Sequence, residues 1–173
     1  RGYMSVNGYF CVKKETENET VIERSRFISY VKKCETEDDA RAFLEEKRKA
    51  HPFATHNCYA YITERGKIAR FSDDGEPHGT AGKPILSVIE GASITNVCIV
   101  VTRYFGGVLL GTGGLVRAYT KAAADAAAKI TKAVMTPGTV FSAECDYSSA
   151  ERLAKLIADA GGSVENTVYT ENV

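Results

Sequence analysis

No stretch of this sequence stays apolar for anything near the roughly 20 residues that cross a bilayer, and no amino-terminal run resembles a signal peptide. Cysteine is sparse, and none of Cys11, Cys34, Cys58, Cys98 and Cys145 forms a CxxC pair. An odd, scattered set fits free thiols in a reducing compartment better than it fits disulfides. A cytoplasmic protein with no membrane partner is therefore expected. Net charge is also lacking: 22 basic residues stand against 22 acidic ones, which argues against broad coating of nucleic acid. No internal repeat or low-complexity tract is present. What is there, 44% hydrophobic and 25% charged residues over 173 positions, suits a globular protein with a real core. The length allows one domain, or one domain with a smaller appendage.

Along the chain, Arg26–Lys33 reads as a strand from its apolar and β-branched content. Thr36 followed by Glu37, Asp38 and Asp39 predicts a capped helix with acids in its first turn, and Ala40, Phe43 and Leu44 form its buried stripe. His56–Thr63 and Lys67–Ser72 read as strands around a turn at Arg65-Gly66, and a helix is expected near Thr80–Glu90. Ile94–Val101 reads as a central strand. A long helix follows from about Gly114, with Leu115, Ala118, Ala122, Ala126 and Ile130 at helical spacing toward the sheet. Beyond the linker Thr136-Pro137-Gly138 come a strand (Val140–Cys145), a helix capped near Ser148 or Ser149 and stopped at Gly161-Gly162, and a strand (Ser163–Thr170). The fold class expected is α+β, with a first domain over 1–135 and a small β-α-β unit over 138–173. That unit is too small for an independent core.

Two segments carry features suited to chemistry or binding. Arg103–Tyr119 reads RYFGGVLLGTGGLVRAY. Its loop glycines Gly106, Gly107, Gly111 and Gly113 permit close backbone approach, and the helix that follows offers free N–H groups to an anion. Arg103 and Arg117 would neutralise that anion, while Phe105 and Tyr119 offer stacking faces. It is not a phosphate-binding P-loop, because no Gly-Lys-Ser/Thr ends it. The alternative is a tight strand-to-helix turn with core aromatics. Asp73–Pro84 reads DDGEPHGTAGKP, in which Asp73, Asp74 and Glu76 supply oxygen ligands for a hard cation or carboxylates to pair with Arg103 or Arg117. Internal pairing is the preferred reading, so no metal or cofactor is expected. His51, His56, Cys58 and His78 lack the tight spacing of a zinc site, and Cys58 reads as a core thiol. Charge is uneven: Arg103, Arg117, Lys121, Lys129 and Lys132 face only Asp125, whereas from Pro137 onward six acids face two bases. A nucleic-acid-facing stripe and a solvated helix face are both compatible with that pattern.

Arg24–Ile28 (RSRFI), Ala54–Tyr61 (ATHNCYAY) and the two segments above resemble, in order and spacing, the hallmark blocks of the YigZ/IMPACT family. The resemblance covers about Val21 to Ala128. It implies a two-layer sheet-and-helix first domain like the second domain of a small-subunit ribosomal protein, with a left-handed β-α-β crossover. It also implies that residues 138–173 are part of a ferredoxin-like domain whose second half is missing from this sequence. Eukaryotic relatives regulate translation by binding a scaffold protein, and bacterial relatives resemble RNA-contacting domains. No catalytic residue carries over. His56, Asp73, Asp74, Glu76, Thr80, Arg103, Gly106, Gly107 and Arg117 are motif positions only.

Three functions fit these observations. The first is a translation-linked binding protein that engages RNA, the ribosome or a translation factor through the Gly-rich loop and basic helix. The second is an enzyme acting on a phosphorylated or carboxylated small molecule. The third is a protein-binding regulator without chemistry. No acid–base or nucleophile–base pair is legible, so binding is preferred over catalysis.

Overall fold

The computed structural model describes residues 8–170; the outermost ends of both expected domains, 1–7 and 171–173, lie outside the described residues. The chain divides into two compact units, Arg1–Pro137 and Gly138–Val173. The first unit is built on a five-stranded sheet in which every neighbouring pair is antiparallel. β2 (Thr16–Ile22) and β3 (Ser25–Lys33) form a hairpin whose two turn residues, Glu23 and Arg24, both have positive φ. That turn geometry matches the right-handed twist of the strands. β4 (His56–Thr63) and β5 (Ile68–Ser72) form a second hairpin, and β6 (Val97–Tyr104) runs between β3 and β4. A separate pair, β1 (Tyr9–Val12) with β7 (Lys132–Met135), joins the two ends of this unit.

Side chains alternate across a strand, and the central strands use both faces. Phe27, Val31, Cys58, Ala60, Val97, Ile99 and Val101 face α2 (Gly82–Gly91) and α3 (Gly111–Ala128). Ile28, Tyr30, Tyr61, Cys98 and Val100 face α1 (Glu37–Ala50). The α+β class is as expected, and α1 adds a third layer to the two-layer arrangement, because β3, β4 and β6 are apolar on both faces. Thr36 caps α1 in a reciprocal capping box with Asp39. Leu115, Ala118, Ala122 and Ala126 of α3 are buried, so this alanine-rich face lies close against the sheet and α2.

Three differences from the sequence reading matter for the site. β6 starts at Val97 and continues to Tyr104, since Ser93 and Asn96 take positive φ and use the expected first residues of the strand as a turn. Arg103 therefore sits within the sheet and not in a loop. α3 starts at Gly111, three residues before the expected Gly114. In the second unit α4 (Tyr147–Asp159) forms, capped by Asp146 and not by Ser148 or Ser149, but Val140–Cys145 and Ser163–Thr170 run without strand pairing. Val140, Phe141, Val168 and Tyr169 are all exposed there, and the Tyr169 ring lies 5.3 Å from that of Tyr147 on α4 and not in a ladder. No helix among the described residues is long and apolar enough to cross a membrane.

Packing this tight carries a measurable consequence. Ala122 is fully buried and Ala124 on the same helix is exposed. Ala122→Leu should lower stability in urea denaturation by about 1–3 kcal/mol, the usual range for overpacking, while Ala124→Leu should stay within about 0.5 kcal/mol. Equal effects at the two positions would contradict the placement of α3.

Candidate functional site

The register of the sheet puts Arg103 of β6 between Phe27 of β3 and His56 of β4. All three side chains belong to the face covered by α2 and α3, as does Cys58 two residues after His56. A guanidinium placed there is out of water and needs an anion. Glu76 of the acidic loop provides it: Arg103 Nη1 lies 2.6 Å from Glu76 Oε1, with the side chains 6% and 3% exposed. Tyr119 of α3 donates its hydroxyl to the same Glu76 oxygen at 2.8 Å. Arg103 Nη2 donates to Ser25 Oγ at 3.3 Å, and Gly106 N donates to that oxygen at 3.2 Å. The guanidinium lies 5.5 Å from the ring centres of both Phe27 and Phe105. His56 Nδ1 donates to the Asp74 carbonyl at 2.8 Å, with Nε2 3.8 Å from Glu76 Oε2.

Cys58 has its thiol within donating distance of Tyr119 Oη (3.3 Å) and of the Asp73 carbonyl (3.0 Å). Burial pushes this thiol well above the ordinary range, and burial followed by the neighbouring Cys58 and Glu76 does the same to the Tyr119 phenol. Both shifts favour the protonated forms, which suits groups that act as hydrogen-bond donors.

The acidic loop is organised by its own carboxylates. Asp73 accepts from the backbone N–H groups of Gly79 (2.8 Å), Ala81 (3.0 Å) and Gly82 (2.8 Å), taking up free donors at the start of α2. Burial works against ionisation there, but these three donors outweigh it and hold the carboxyl below the usual carboxylate range. Asp74 accepts from Asn57 N at 2.7 Å and from Arg48 Nη2 at 2.9 Å. Thr80 is buried and donates to the Pro77 carbonyl at 2.6 Å. Each of the three carboxylates thus has an internal partner, and among the described residues no cluster of three or more His, Cys, Asp or Glu is arranged to hold a metal ion.

Two glycines are dictated by space. A Cβ on Gly82 would stand 2.7 Å from the Ser72 backbone, and one on Gly106 would stand 2.1 Å from the Arg24 backbone. Gly106 is thus where the loop after β6 closes on the β2–β3 turn, and not a place for a ligand. Gly107 and Gly111 take positive φ on the open side of that loop.

The structure brings His56, Asp73, Asp74, Glu76, Thr80, Arg103 and Tyr119 together, with Phe105 beside the Arg103 guanidinium and Gly106 joined to it through Ser25, while Arg117 and Lys121 lie exposed on α3. Arg103 is 5% exposed and Tyr119 is fully buried, so neither meets an external phosphate or base as the sequence suggested. They sit on the inner face because β6 runs three residues further than expected and because Tyr119 shares the buried stripe of α3. Phe105 is half exposed, and Arg117 points outward without a salt bridge among the described residues. Lys121 pairs with Asp125 at 2.9 Å, and Lys129 ends α3. Lys132 leaves the helix altogether, lying on β7 and donating to the Ala92 carbonyl, so the basic stripe stops with α3. A groove of about 580 Å³ lies beside Arg117, walled by Ile22, Val108, Leu109, Leu110 and Lys121. Sequence reasoning missed Ser25, Phe27, Asn57 and Arg48. Ser25 and Phe27 were within reach, since they occupy alternate positions in the RSRFI block.

The buried pair makes a sharp prediction. Arg103→Met or Glu76→Leu alone leaves an uncompensated buried charge and should cost about 3–5 kcal/mol. The double variant should cost clearly less than the sum in urea denaturation, because no orphaned charge remains. Additive costs would contradict the pairing.

A family model described as the Impact N-terminal domain matches residues 23–127. The IMPACT family member YvyE of Bacillus subtilis is 38% identical over 169 residues, covering 97% of this chain and 78% of YvyE. The family member YigZ of Escherichia coli is 38% identical over 151 residues, covering 86% of this chain and 74% of YigZ. A crystal structure of a hypothetical protein superposes with a TM-score of 0.75 at 34% identity, covering 95% of this chain and 82% of that one. The acidic loop and the Gly-rich segment described above both fall inside the matched region, and the chain belongs to the IMPACT family.

Proposed function

We propose that this chain is a translation-linked binding protein of the cytoplasm, which engages the ribosome, RNA or a translation-associated protein through the outer side of the Gly-rich loop and the first turns of α3. Family membership supports the link to translation, through the regulatory role that the resemblance implies for eukaryotic relatives. The observation that carries the location is Arg117: it is exposed, makes no salt bridge among the described residues, and stands on the wall of a groove. The groups that would do chemistry point the other way. Glu76, Arg103, Tyr119 and Cys58 are sealed inside and hydrogen-bonded to one another, which is the arrangement of a structural brace. A cation-dependent enzyme would need free carboxylates in the acidic loop, and all three have internal partners.

Sedimentation with purified ribosomes, before and after nuclease and at two salt concentrations, tests this reading. Arg117→Ala should weaken binding by about 1–3 kcal/mol, the range for losing a charge-assisted bond. Lys129→Ala should cost less and lower the salt dependence by about one ion. Wild-type protein that does not sediment with ribosomes, or an Arg117→Ala variant that binds as well as wild type, would overturn it.

A further inference from the structure

The groove has an unusual lining for a nucleic-acid site. One wall is Ile22 and Glu23, from the end of β2 and the β2–β3 turn; the other is Val108, Leu109 and Leu110, from the loop after β6. Leu109 is 87% exposed. An isoleucine, a valine and two leucines around a cavity of about 580 Å³ make a site for apolar side chains, within the size range of ordinary ligand pockets. Positive charge in the lining is confined to α3. Lys121 shares its charge with Asp125 in an exposed pair, so Arg117 is the lining cation without a salt bridge among the described residues. Glu23 is in the same lining. A polyanion would meet one available cation and one carboxylate, against several cations in a phosphate-tracking surface.

The walls are also preformed. Gly106 fits against the Arg24 backbone with no room for a Cβ, and its N–H is held by Ser25 Oγ. The turn beside it is set by the positive φ of Glu23 and Arg24. A site that needs no rearrangement loses little of its contact energy on binding.

We propose that this groove is a docking site for a segment of another protein that carries a carboxylate close to a large apolar side chain. The apolar side chain enters between Ile22 and Leu109, and the carboxylate pairs with Arg117. This rests on the binding reading above and names its partner class. Charge complementarity selects the occupant: one available guanidinium beside an apolar cavity matches one acid beside one apolar anchor, and Glu23 repels a longer run of negative charge.

The test uses the whole chain and two defined probes, a phage-displayed library of random dodecapeptides and a dodecauridylate RNA. Selected peptides should place Asp or Glu within three residues of Leu, Ile or Phe. The synthesised best binder should lose at least ten-fold on Arg117→Ala and on Leu109→Asp, and should be unaffected by Lys49→Ala on α1, the helix on the other face of the sheet. Leu109 is almost wholly exposed, so its replacement leaves the fold intact, which a thermal melt checks. No enrichment above the starting library overturns the proposal. So does a binder that ignores both groove variants, or dodecauridylate competing for the same site. Ribosome sedimentation run on the same variants separates the two readings. Loss of sedimentation in Arg117→Ala with no peptide enriched removes the docking site and leaves the translation link. Peptides bound in the groove by a protein that never sediments with ribosomes confirm the docking site and remove that link.

Discussion

A guanidinium and a carboxylate, both almost wholly removed from water, hold this fold's motif segments in place. Desolvating such a pair costs several kcal/mol per ion, and their attraction offsets this only when the remaining donors and acceptors are also satisfied. Here Tyr119 donates to Glu76, Ser25 accepts from Arg103, and the rings of Phe27 and Phe105 lie near the guanidinium, while the buried Arg103 Nε has no hydrogen-bond partner and its unmet cost stays in the balance. Each partner comes from a different stretch of chain. Glu76 fastens the acidic loop to β6, Tyr119 fastens α3 to that loop, and Ser25 joins Arg103 to Gly106 and so fixes the start of the Gly-rich loop. The motif residues cluster because they brace one another, and the outward surface that they position is where binding is proposed.

The opposite face of the same strands shows how locally such constraints act. One residue beyond Arg103, Tyr104 points toward α1, where its hydroxyl lies 2.8 Å from His51 Nδ1 and Tyr30 Oη lies 2.6 Å from His51 Nε2. Burial depresses the His51 pKa and raises the Tyr30 phenol to about 12. Neutral hydrogen bonding serves around His51, while the buried Lys47 of the same layer, 4.5 Å from the Tyr30 ring centre, pairs with Glu15 and Glu46 at 2.8 Å. The period of two along β6 alone decides which of the two residues meets which environment.

Much of this architecture is legible in the sequence because local and global preferences agree there. The alternation in Arg26–Lys33 and His56–Thr63, the Thr36 cap and the apolar stripe of α3 each point to one answer. β1, β2 and β7 are not legible: Thr16–Ile22 is mostly polar, and the β1–β7 pair joins residues more than a hundred positions apart. The start of β6 turns on Ser93 and Asn96 adopting positive φ, which local pattern does not reveal. At the site, opposite charge on two glycine-containing segments was enough to expect that they meet. It could not say which arginine goes inside. Arg103 and Arg117 look equivalent in sequence, and only the extra length of β6 and the outward phase of α3 separate them into a buried brace and an exposed contact.

The account's central claim is that one buried pair holds both segments at once. Amide hydrogen exchange, resolved residue by residue in wild type and in Glu76→Gln, tests it most directly. The probes are the amides of Gly79, Ala81 and Gly82, which donate to Asp73, and that of Gly106, which donates to Ser25. If the claim holds, both sets lose protection together in the variant while the amides of α1 keep theirs. Faster exchange confined to the acidic loop, with Gly106 as protected as in wild type, would contradict it.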